Sequence, residues 1–142
     1  MKLLFEVEGG TGPTLLPGDG AELAAFMSFA CMRGFGAQHP LLALADRLHE
    51  NCGVRLGPLT TFYDATIEDA EDREKLELAW QEAEPLARTL AGMAETLAND
   101  AQAQALVRRA GSERLEHEVR ALIAPVEAAA ASGARVRLSY VS

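Results

Sequence analysis

The stretch KLLFEVE at residues 2–8 decides the fold once it is set beside ARVRLSYV at residues 134–141. In the first, Leu3, Phe5 and Val7 alternate with Lys2, Glu6 and Glu8, interrupted only by Leu4. In the second, Ala134, Val136, Leu138 and Tyr140 alternate with Arg135, Arg137 and Ser139. Such alternation puts an apolar row on one face of a strand and a polar row on the other. Pairing the two strands sets Glu6 and Glu8 opposite Arg135 and Arg137, each cross-strand ion pair contributing about 0.2–1 kcal/mol.

Working inward, residues 9–20 form a loop rich in glycine and proline. Asp19, followed three residues later by Glu22, has the spacing of a capping box. A first helix is predicted over 20–33. Its Leu23, Phe26, Met27, Phe29 and Met32 leave almost no polar face, as in a helix enclosed by other elements. Gly34 and Gly36 end it. Pro40 at a first helical position and Gly53 past the last turn bracket a second helix over 40–52.

The longest helical pattern runs over 67–98, opened by acidic residues that Thr66 and Asp69 can cap. Leu76, Ala83, Leu90 and Leu97 recur every seven residues, the spacing of a packing seam. Unbroken, that helix would be about 48 Å long. A chain of this length forms a globule with a radius of gyration of about 14–15 Å. Pro85 lacks a backbone donor and clashes with the carbonyl of Gln81, so a break or kink is expected there. The alternative is a projecting arm that dimerises through its seam. Helices over 100–110, capped by Asn99 with Gln102, and over 112–131, capped by Ser112 and carrying Pro125, complete the set. The expectation is a mainly α (α+β) fold: one domain over 1–142, about five helices and a small sheet joining the first and last strands.

Hydrophobic residues make up 49% and charged residues 24% of the 142, ordinary usage for a folded domain. No window reaches the eighteen or so consecutive apolar residues of a membrane span. The segment before Glu8 lacks the basic-then-apolar layout of a secretory leader, so a cytoplasmic location is expected. Few lysines and abundant alanine suggest a bacterial, GC-rich genome. The net charge is −8, and residues 1–100 hold 17 acids against 7 bases. That balance disfavours nucleic acid, whose recognition needs clustered Lys and Arg. Cys31 and Cys52 sit in apolar stretches without CxxC spacing and are expected to be buried and reduced.

The loop at 9–20 follows a strand and precedes a helix, as phosphate-binding loops do. Gly9, Gly10 and Gly12 nevertheless fit neither the dinucleotide fingerprint nor a GxxxxGK loop, and Asp19 would repel a phosphate. Imidazole and carboxylate are ligand types for zinc or iron, so His49, Glu113 and His117 are the candidate metal ligands, Glu113 and His117 being four apart on one helix face. No HExxH or ExxH motif supports them, and no nucleophile has a recognisable local context. The leading expectation is therefore a non-enzymatic accessory or regulatory protein with no cofactor. It would bind another protein, or itself as a homodimer, through the long helix and its acidic start: Glu68, Asp69, Asp72, Leu76 and Trp80. The competing expectation is a small metal-dependent enzyme or small-molecule-binding protein with a pocket beneath the glycine-rich loop.

Overall fold

Strand β1 (Lys2–Val7) pairs antiparallel with strand β5 (Arg135–Val141), as the matched alternation requires. The register sets Glu6 opposite Arg137 and Phe5 opposite Leu138. Arg137 reaches both Glu6 oxygens at 2.6 and 2.7 Å, and Arg135 holds Glu8 through two nitrogens. The Glu8 carboxyl is drawn below its usual range, first by that hydrogen bond. Both expected ion pairs are thus formed. The computed structural model describes residues 1–34 and 38–142.

The remaining elements are β2 (Thr14–Leu15), α1 (Ala21–Cys31), α2 (Pro40–Glu50), α3 (Gly57–Thr60), β3 (Phe62–Asp64), α4 (Ala70–Glu77), β4 (Trp80–Glu82), α5 (Ala83–Asn99), α6 (Ala101–Ala110) and α7 (Leu115–Ala131). The chain is α+β: seven helices and a five-stranded sheet among the described residues. β2 lies beside β1. The other edge of β5 is shared, with β3 running parallel to Leu138–Tyr140 and β4 antiparallel to Arg135–Arg137.

Leu3, Phe5, Val136 and Leu138 face the helices and join one apolar cluster with residues of α1, α2, α5 and α7. α5 and α7 pack along each other, burying Leu86, Leu90, Met93 and Leu97 against Leu115, Val119, Leu122 and Val126. In α1 only Ala21 and Cys31, its two end residues, are exposed, which matches its near-continuous apolar sequence. Among the described residues no helix is long and apolar enough to cross a membrane.

The long helical pattern is divided, but not at Pro85. The chain leaves helix after Glu77 and runs as strand over Trp80–Glu82, then resumes helix at Ala83. Pro85 is the third residue of α5, where a backbone N–H has no helical partner to lose. The break comes from pairing with β5, Trp80 opposite Arg137 and Gln81 opposite Val136. α7, by contrast, continues through Pro125.

Several caps also differ from the sequence expectation. Asp100, not Asn99, caps α6, accepting from the Ala103 N–H. Its carboxylate also takes a two-pronged contact from Arg47 of α2, and with that hydrogen bond as the largest cause its pKa falls to about 2. Ser112 does not cap α7, whose N-cap is Arg114. Of the two glycines expected to end the first helix, Gly36 lies outside the described residues.

The start of α1 is capped by another helix rather than by Asp19. Glu118 of α7, 1% exposed, accepts from the backbone N–H groups of Glu22 and Leu23 at 3.0 and 2.9 Å. Arg114 stands 3.8 Å from its other oxygen. Glu22 Oε2 is buried without a partner. Burial, reinforced by the nearby Glu22 carboxylate, holds the Glu118 carboxyl above its usual range despite the two N–H donors.

Candidate functional site

Between β3 and β4 the chain makes an excursion over residues 65–79, leaving the β5 edge opposite Tyr140 and rejoining it opposite Arg137. Its first turns are held by local carboxylates. Asp64 accepts from the Thr66 N–H, Asp72 from the Glu68 N–H, and Asp69 from the Asp72 N–H. Asp69 is thus the N-cap of α4, as its position suggested, and Glu71 and Asp72 lie in the first turn, where the helix dipole favours acids. At the far end Arg137 donates to the Leu76 carbonyl at 3.3 Å and approaches Glu77 at 3.8 Å.

α4 buries none of its eight residues. An isolated helix this short is unstable in water, so its caps and two tethers must hold it in place of a packed face. The arm carries seven acids against two bases over residues 64–77, most of the net charge of −8. It is also unusually apolar at its ends. Of the six large hydrophobic side chains exposed among the described residues, two belong here, Ile67 at 45% and Leu78 at 68%, and a third, Tyr63, precedes the arm on β3.

The five residues expected to meet a partner divide into two groups. Glu68 and Asp69 are exposed on the arm. Asp72 and Leu76 are half-buried, and each already serves the arm's own structure, through the Asp72 carboxylate and the Leu76 carbonyl. Trp80 is on a strand rather than a helix, half-buried, with the Arg137 guanidinium 4.2 Å from its ring centre. That stacking, with the Glu6 pair, fixes the base of the arm to the sheet. Ile67 and Leu78 were not singled out from sequence because both fall off the seven-residue repeat.

The seam itself is not on the surface. Ala83, Leu90 and Leu97 are buried along α5, so this stripe packs inside the chain instead of waiting for a second copy.

The proposed metal ligands do not converge. His49, Glu113 and His117 are all exposed, and no three His, Cys, Asp or Glu side chains among the described residues are grouped to hold an ion. Glu113 lines a small cavity with Arg108 and Glu116, whereas His49 borders a different one at the end of α2. Residues 9–20 line none of the principal cavities; Leu16 and Gly20 close down on β1 there. Cys31 is exposed rather than buried, yet its sulfur rests against the Thr60 carbonyl, and desolvation holds the thiol above its usual range. A nucleophilic cysteine needs the opposite shift.

No protein family, curated protein or solved structure gives a significant match to the chain.

Proposed function

We propose that the protein is a non-enzymatic binding protein whose acidic arm, residues 64–78, docks on a partner protein with a basic surface. The observation that carries this reading is a helix that buries nothing yet is capped, tethered at both ends and flanked by exposed Ile67 and Leu78. Protein interfaces combine apolar and polar contacts, and here two exposed apolar side chains bracket a charged helix. The charge would steer a basic partner and the apolar ends would hold it.

The same charge argues against self-association through this surface. A two-fold dimer places the same patch on both subunits, and here it would bring two strongly acidic arms together. The partner is therefore a different protein.

Capture on the immobilised chain tests this with two variants of exposed residues, Ile67→Ser with Leu78→Ser, and Glu68→Gln with Glu71→Gln and Glu74→Gln. A basic partner should be retained at low salt, and about tenfold less by either variant. Raising salt to about 0.5 M should also release it, because screening then acts within a few Å. Equal retention by parent and both variants would show that the arm is not the docking surface.

A further inference from the structure

A cavity of about 720 Å³ lies where the end of α2 and the segment 53–58 meet α5. In a chain whose acids outnumber its bases 21 to 13, its lining has an unexpected charge. Arg33, Arg55 and Arg88 border it, beside His49, and among the described residues no carboxylate does. Among the described residues neither Arg33 nor Arg55 has an acidic partner within 4.0 Å. Arg88 has only Glu84 at that limit, in a pair about three-quarters exposed on both sides. Such a pair holds its guanidinium weakly.

The walls between these charges are apolar and built. Pro85, Arg88, Thr89 and Gly92 recur at helical spacing and give one face of α5 to the cavity. Opposite them lie Val54, Leu56 and Pro58. Thr89, almost fully buried, donates to the Arg55 carbonyl at 2.6 Å, and Gln81 donates to the Pro58 carbonyl at 2.9 Å, so the segment is pinned to α5 at one point and to β4 at the other. At Gly92 a Cβ would stand 3.3 Å from Val54 Cγ2, so the glycine lets the segment and helix approach closely.

We infer that this cavity binds a small organic anion, a carboxylate or phosphate head on an apolar body. Guanidinium forks match both heads with paired N–H donors. The volume falls within the range of small-molecule sites, which combine apolar walls with a few placed polar groups. The site is separate from the acidic arm, and its occupation does not depend on the arm's role.

Octyl phosphate, octanoate, octan-1-ol and inorganic phosphate, titrated separately into the full chain and followed by backbone amide NMR, test the inference. Both amphiphilic anions should saturate shifts at Val54, Arg55, Arg88 and Gly92. Octanol and inorganic phosphate should each bind at least about tenfold more weakly, one lacking the charge and the other the apolar body. Replacing Arg55 and Arg88 together by Ala should weaken octyl phosphate about tenfold, and because both side chains are exposed the melting temperature should be unchanged. The inference is overturned if octanol or inorganic phosphate matches octyl phosphate. It is equally overturned if neither amphiphilic anion saturates at those amides, or if the double variant titrates like the parent.

Discussion

Glu118→Ala is expected to lower the melting temperature by roughly 5–15 °C, the equivalent of about 2–4 kcal/mol in a chain of this size. Two backbone donors at the start of α1, those of Glu22 and Leu23, have Glu118 Oε1 as their acceptor, and α1 packs at the centre of the core. Truncation leaves both without a partner, a larger loss than that of an exposed hydrogen bond. Glu118→Gln keeps an acceptor oxygen and should lose less than half as much.

The same pair of variants separates hydrogen bonding from charge. The folded chain holds the Glu118 proton more tightly than the unfolded chain, whose value is near 4.5, because burial disfavours the carboxylate. Stability from this group is therefore greatest below that pH and falls as pH rises through the folded value. Melting curves against pH should show that decline in the parent and lack it in Glu118→Gln. A Glu118→Ala protein that melts within a degree or two of the parent would refute the capping role.

Gly20→Ala should be nearly as damaging, at about 2–4 kcal/mol. Gly20 has φ +62, and an added Cβ would stand 2.9 Å from Leu3 Cβ and 3.0 Å from Leu16 Cδ1. The leucine tip can rotate away, but Leu3 is fully buried and fixed by the pairing of β1. Gly9 is the control: its φ is also positive, at +81, but a Cβ there meets nothing within 4 Å. Gly9→Ala should cost only about 1–2 kcal/mol, the backbone strain alone. Equal melting temperatures for the two variants would show that close approach at Gly20 is not what closes the loop onto the sheet.

The strands and their ion pairs were legible because alternation and charge are local signals that agreed at both ends of the chain. The break in the long helical pattern was not. Leu76 to Pro85 reads as helix from its own residues, and only the free edge of β5 pulls Trp80–Glu82 into strand. The three-residue β3 was hidden for the same reason.

At the candidate site, the acidic run announced itself, whereas Ile67 and Leu78 became visible only once α4 proved to bury nothing. Glu118 left one faint trace, a lone carboxylate on the stripe of Leu115, Val119 and Leu122. Its role depends on α7 passing the start of α1, which spacing along the chain cannot show. The basic cavity was likewise invisible, since Arg33, Arg55 and Arg88 are scattered over 56 positions of sequence.

If the acidic arm is carried for a partner and not for the fold, the sheet should close without it. Tyr140 and Arg137, opposite which the arm leaves and rejoins the sheet, are three residues apart on β5, about 10 Å. A linker of about six residues of glycine and serine can span that distance with slack. The most direct measurement is the melting temperature of a chain in which residues 66–78 are replaced by such a linker. The value should lie within about 5 °C of the parent, because α4 has no fully buried residue and what is lost is its half-buried packing beside β3 and the contacts of Arg137 with Leu76 and Glu77. A fall of about 15 °C or more, comparable to loss of a core residue, would show instead that the fold depends on the arm.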